Sequence, residues 1–68
     1  MTLDEAFNIL GLARNASLDE ARIAYRTLVA KWHPDRLGDV AQELKDFATE
    51  QVKRINVAFS IVEAALTR

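Results

Sequence analysis

Cysteine is absent from the 68 residues, which excludes disulfides, thiolate zinc sites and cysteine nucleophiles. One histidine, His33, is too few for a multi-histidine metal centre. An excess of one charge is missing as well. Nine basic side chains stand against ten acidic ones, whereas bulk binders of nucleic acid or acidic membranes usually carry a clear positive surplus. No run approaches the ~18 consecutive apolar residues of a membrane span. Met1–Glu5 lacks the basic region followed by an apolar run that marks a secretory signal. No alternating run of β-branched residues suggests a strand, and there is no internal repeat or low-complexity tract.

What is present is a globular balance, 50% hydrophobic and 28% charged, in a chain expected to form one domain over residues 1–68. A domain this small buries only about 60% of the surface its unfolded chain exposes, so a deep pocket with a full catalytic set is not expected. The two glycines, Gly11 and Gly38, and the one proline, Pro34, all fall between periodic segments, as helix punctuation does. The fold expected is all-α.

Thr2 and Glu5 have the spacing of a capping box and open a first helix with Leu3, Ala6, Phe7 and Leu10 on one face. Gly11 suits the left-handed position past its last turn. Ser17 and Glu20 repeat the device for a second helix. Its apolar stripe of Ala21, Ala24, Tyr25, Leu28 and Trp32 fits within a sector of roughly 100° at 100° per residue. Arg22, Ile23, Arg26, Thr27 and Ala30 lie opposite. Pro34, lacking an N–H and disfavouring helical angles at His33, stops this helix. Asp39 and Gln42 form a third cap-like pair, predicting a long third helix from near Asp39 towards Arg68. Its stripe is Leu44, Ala48, Val52, Ile55, Phe59, Val62 and Leu66. Helices two and three are expected to form an antiparallel hairpin around a loop at His33–Gly38, with the first helix packed across both. Trp32 and Phe59 are expected in the core, and Tyr25 at its edge with its hydroxyl free to reach solvent or a partner.

Four blocks stand in order along the chain. They are Asp4 to Leu12, with Phe7 and Leu10-Gly11-Leu12; Ala24-Tyr25-Arg26 with Leu28; His33-Pro34-Asp35 after Lys31-Trp32; and Ile55 with Ala58-Phe59. Together they resemble the J-domain of DnaJ-type cochaperones over roughly residues 3 to 63. The resemblance implies a non-enzymatic partner. It would bind the ATP-bound form of a DnaK-type heat-shock chaperone of seventy kilodaltons, accelerate its ATP hydrolysis and so promote client capture. Carried over by position, His33, Pro34 and Asp35 are the stimulatory residues, and Arg22, Tyr25, Arg26 and Lys31 are docking residues. Ile23 and Thr27 stand where the family commonly has lysine or arginine. The segment from Asp35 to Ile55 is longer than in DnaJ itself, and the family's short fourth helix has no counterpart, a pattern similar to the C-terminal J-domains of DjlA-type proteins. The reading implies no cofactor, no nucleic acid, no direct membrane contact, a monomer and a cytoplasmic setting.

Plainer readings exist for the same residues. His33 could be a loop residue favoured at a helix C-terminus by the dipole, and Asp35 could cap the turn. The basic residues of helix two could pair with the acidic stripe Asp39, Glu43, Asp46 and Glu50, for which exposed pairs supply only ~0–1 kcal/mol. Rival functions are a helix-turn-helix nucleic-acid binder, which Pro34 opposes by ending the reader helix at its basic end, and a helical adaptor without chaperone stimulation. A hydrolytic enzyme would need a nucleophile, base and orienter in one pocket, and only His33 could be such a base.

Overall fold

The computed structural model describes residues 1–67. The chain forms α1 (Leu3–Ile9), α2 (Leu18–Trp32), a single 3₁₀ turn (Pro34–Leu37) and α3 (Gln42–Leu66), the all-α architecture expected. Both N-terminal capping boxes are formed. The Thr2 hydroxyl accepts from the Glu5 N–H and the Ser17 hydroxyl from the Glu20 N–H, each at 3.1 Å, while the glutamate returns to the cap's backbone N–H. Before the second box, Ala16 is buried with Ala21, and this pair staples the entry of α2 to the core. Gly11 adopts φ +68°. Its N–H donates to the Asn8 carbonyl at 3.0 Å, and the Leu12 N–H donates to the Phe7 carbonyl at 2.9 Å. This double closure needs the left-handed residue that glycine supplies without a Cβ clash.

Tyr25 meets Asn56 and Phe59 of α3, while Trp32 meets Phe47. As one helix advances the other recedes, so α2 and α3 are antiparallel. The 25 residues of α3 account for about 37 Å of length in a molecule with a long axis of 41 Å. The core joins Ala6, Phe7 and Leu10 of α1 and its cap to Ala21 of α2 and to Ile55, Ala58 and Val62 of α3.

Three points refine the expectations. First, α1 packs across the hairpin as expected, with its backbone nearer to α3 than to α2 and with Ala6 and Phe7 sharing one core cluster with Ala21 of α2 and Ile55, Ala58 and Val62 of α3. Its bulky Phe7, 2% exposed, holds the backbones of α1 and α2 apart while filling the space between them. Second, α3 starts at Gln42, not near Asp39. Gly38 at φ +67° turns the chain, Val40 N–H bonds to the Gly38 carbonyl at 3.1 Å, and Ala41 is the cap without any side-chain bond. The Gln42 amide donates instead to the Asp46 carboxylate at 2.9 Å. Third, of the expected apolar stripe of α3, Ala48, Ile55 and Val62 are buried while Val52, Phe59 and Leu66 are half-buried. Leu44 is exposed because α2 has already ended opposite it, and Ala58, absent from the expected stripe, is fully buried. Trp32 and Phe59 are half-buried at the rim of the core rather than within it.

Candidate functional site

The end of α2 and the turn that follows are built by His33 and Pro34 together. His33 has extended backbone angles (φ −62°, ψ 126°), as the residue before proline prefers, so α2 stops at Trp32. Pro34 then occupies the first position of the 3₁₀ turn, where its missing N–H costs nothing and its fixed φ is already suitable. The turn closes through the Arg36 N–H on the His33 carbonyl at 2.9 Å. The His33 Nδ1 accepts from the Asp35 N–H at 3.3 Å. The cap therefore comes from the histidine and not from Asp35, contrary to the plainer reading of that carboxylate.

The Asp35 carboxylate is 92% exposed, lies 3.8 Å from His33 Nδ1, and the His33 side chain is itself half-exposed. The carboxylate has no lysine or arginine partner among the described residues. An exposed carboxylate beside an exposed imidazole offers a second molecule an acceptor for a cation and a hydrogen-bonding ring. No cluster of three or more potential ligating side chains capable of holding a metal occurs among the described residues.

Of the four residues that the resemblance marks for docking, the structure brings three together. Arg22 and Arg26, one turn apart and both exposed, flank Tyr25 on one side of α2. Arg22 lies 3.7 Å from Asp19 on its own helix, and Arg26 Nε donates to the Arg22 carbonyl at 3.4 Å. Neither pairs with α3. The expected competition from the acidic stripe is not realised, since Asp46 holds Gln42 and Glu50 holds Lys53 at 3.2 Å. Lys31 falls about 180° around the helix from Arg22, on the other flank of the apolar stripe. Its ammonium sits 5.7 Å from the centroid of the Trp32 ring, and its charge also suits the C-terminal end of α2. The basic surface is thus an Arg22–Arg26 flank with a separate cation beside the turn.

Tyr25 is more constrained than expected. Its ring stacks on Phe59, with centroids 4.4 Å apart, and its hydroxyl donates to Asn56 Oδ1 at 2.6 Å instead of reaching free solvent. Asn56, which the sequence suggests only as a solvent-facing or capping-type hydrogen bonder, is exposed and accepts this bond. Its place one turn before Phe59 was the available signal, because residues three apart share a helix face. The bond ties the arginine-bearing flank of α2 to α3. Tyr25→Phe and Asn56→Ala are each expected to lower stability by about 0.5–1.5 kcal/mol, and the double substitution by little more than either alone. A thermal double-mutant cycle checks this, and strictly additive losses would show that the bond does not form in solution.

The family model described as "DnaJ domain" matches residues 5–68. Among curated relatives, the chaperone protein DnaJ of Thermosipho melanesiensis is 40% identical over 62 residues, covering 91% of this chain and 16% of that protein. The adaptation to cold protein J of Shewanella oneidensis is 36% identical over 56 residues, covering 82% of this chain and 60% of the relative. The human DnaJ homolog subfamily C member 21 is 43% identical over 56 residues, covering 82% of this chain and 10% of the relative. The chain thus spans about a sixth of the length of the bacterial DnaJ it matches. No solved structure matches. Three helices, a His-Pro-Asp turn between the second and third, and a family match over nearly every residue lead to one conclusion: the chain belongs to the DnaJ domain family, the J-domains.

Proposed function

We propose that this J-domain docks on the ATP-bound form of a DnaK-type heat-shock chaperone of seventy kilodaltons and accelerates its ATP hydrolysis, which promotes capture of a client polypeptide. The observation that carries the reading is the turn itself. It presents the exposed Asp35 carboxylate and the half-exposed His33 ring side by side, at the end of a helix whose flank bears Arg22, Tyr25 and Arg26. Pro34 restricts the turn and so fixes where its two neighbours point. Lys31 contributes charge beside the turn. The domain acts on its partner and catalyses nothing itself, works as a monomer, and needs neither a cofactor nor nucleic acid. No direct membrane contact is part of this reading; no helix among the described residues is long and apolar enough to cross a membrane. Dependence on the partner's ATP supports a cytoplasmic setting. The 25-residue α3 supports placement near the DjlA-type J-domains, whose third helix is also long.

The test is single-turnover ATP hydrolysis by a DnaK-type chaperone with and without this domain. An unchanged rate would leave a helical adaptor as the better reading. Docking and triggering separate on titration. Arg26 is a solvent-facing charge, which steers encounter and orients the complex, whereas a desolvated contact acts after docking. Arg26→Ala is expected to raise the half-saturating concentration about ten-fold, equivalent to about 1.4 kcal/mol. It should also flatten the salt dependence, since one screened attraction is gone, while the plateau stays near wild type. Asp35→Asn is expected to lose the plateau at every concentration. Titrations of both variants at two ionic strengths check this. A lowered plateau with unchanged half-saturation for Arg26→Ala would make the basic flank part of the trigger.

A further inference from the structure

Between α1, the last turns of α2 and the middle of α3 lies an open groove of about 450 Å³, within the size range of ligand sites. Phe7 fills the core between the helices but does not line this groove, which stays unfilled beside Leu28 and Trp32. Its apolar wall is the buried Ile55 with the half-buried Ile9, Leu28 and Trp32. Its polar wall comes from Asn8, Gln51 and Arg54, of which the last two are three residues apart and share a face of α3. Leu28 lies about 120–160° around α2 from Arg22 and Arg26, so the groove opens away from that basic flank.

The polar groups of this wall are uncommitted. The side-chain amides of Gln42 and Asn56 are bonded to other side chains, whereas those of Asn8 and Gln51 have no partner among the described residues. The Arg54 guanidinium pairs with no carboxylate among them. The neighbouring acids are engaged elsewhere. Glu50, one turn before Arg54, holds Lys53 at 3.2 Å. Glu5, which borders the groove on α1, accepts from the Thr2 hydroxyl at 3.1 Å and from its N–H at 3.4 Å. A second cation stands close by, since the Lys31 ammonium lies 5.7 Å from the centroid of the Trp32 ring. The uncommitted charge around the groove is therefore positive, and it adjoins an apolar wall.

We infer that the groove holds the C-terminal residue of a partner polypeptide that ends in a large aliphatic side chain. A guanidinium takes a carboxylate through two parallel N–H bonds. A primary amide offers both a donor and an acceptor, which match the C=O and N–H of a peptide unit. A groove of this size admits little more than a single residue, so the carboxylate and the aliphatic group must belong to the same residue, as they do at a chain end. The terminal carboxylate meets Arg54, the last side chain meets Leu28, Trp32 and Ile55, and the preceding peptide unit meets Asn8 and Gln51. The inference does not depend on chaperone docking, because the groove and the Arg22–Arg26 flank lie on different sides of α2.

Trp32 is the chain's one tryptophan, so its fluorescence reports occupancy. The experiment titrates N-acetyl-leucine, N-acetyl-leucinamide and N-acetyl-alanyl-leucine into wild type, Arg54→Gln and Asn8→Ala at constant ionic strength. Amide chemical shifts locate the binding, and thermal melting checks the fold. Asn8 and Arg54 are exposed, so both variants are expected to stay folded, and the comparison of acid with amide in wild type stands regardless. N-acetyl-leucine should saturate with a Kd of about 1 mM, as small ligands of ordinary efficiency reach. The uncharged leucinamide should bind about ten-fold more weakly. The alanyl extension should tighten binding about three-fold through its added peptide unit, a gain that Asn8→Ala removes. Arg54→Gln should weaken both acids about ten-fold and leave the leucinamide unchanged. Equal binding of N-acetyl-leucine and its amide overturns the inference, as does wild-type affinity for the acids in Arg54→Gln. Failure of either acid to saturate, or shifts confined to residues outside the groove, overturns it as well. So does the absence of any gain from the alanyl extension, because the groove would then take a small free acid and not a chain end.

Discussion

His33→Gln is expected to abolish stimulation of the chaperone's ATP hydrolysis while leaving a folded domain. The side chain is 48% exposed and contributes nothing to the core, so the structural loss is confined to the Nδ1 cap on the Asp35 N–H. A lost cap costs about 0.5–2 kcal/mol, which a 3₁₀ turn at the molecule's end can absorb without global unfolding. The functional loss comes from removing the imidazole ring. His33→Asn distinguishes the two contributions, because asparagine is among the best caps and restores the turn without restoring the ring. Both variants are expected to be inactive in single-turnover hydrolysis, with the asparagine protein melting closer to wild type. Stimulation recovered by His33→Asn would mean that the histidine works only by shaping the turn.

Phe7→Ala has the largest expected effect on stability. Phe7 is 2% exposed, fills the space between α1, α2 and α3, and lies under the Arg14 guanidinium, 5.0 Å from its ring centroid. Arg14 in turn pairs with Asp4 of α1, so the ring anchors both the helix and the loop behind it. Aromatic-to-alanine changes in cores cost about 3–5 kcal/mol. At ~0.05–0.15 kcal/mol per residue, that is comparable to the entire stability of a chain this short. The melting temperature should fall by at least ~12 °C, and part of the population should be unfolded at 37 °C. Thermal denaturation followed by circular dichroism checks this. A shift of only a few degrees would show that α1 is not docked on α3 in solution. Phe59→Ala, by contrast, is expected to cost less than Phe7→Ala. Its ring is half-buried and stacked on Tyr25, so water already reaches part of the surface that the deletion would vacate.

Much of the molecule was legible in local signals. The boundaries of α1 and α2 are written in their two capping boxes, in Gly11 and in Pro34, and each acts through backbone groups within four residues of itself. The buried face of α2 follows from periodicity, and its expected outer residues, Arg22 to Ala30, are all exposed. The His33-Pro34-Asp35 block was visible as letters. That the Asp35 carboxylate stands exposed while His33 caps the turn was not visible, because sequence spacing allows either residue to bond the backbone.

The start of α3 was misread for a related reason. Asp39 and Gln42 have cap spacing, but whether a cap forms depends on how the chain leaves Gly38, and that is set by the docking of the turn between α2 and α3. The sequence by itself determined which segments are helical, where two of the three begin and end, and that no thiol or multi-histidine chemistry is possible. Those properties rest on interactions between residues one to four positions apart. Tertiary structure alone decided that the α1 backbone lies nearer to α3 than to α2, and that Tyr25 is held by Asn56 and Phe59. It also decided that Leu44 and Phe47 stand exposed beside the turn. Each of these depends on which residues distant in the chain meet across the core. Helical periodicity says which side of a helix is apolar, but not how far along its length a neighbouring helix is present to cover it.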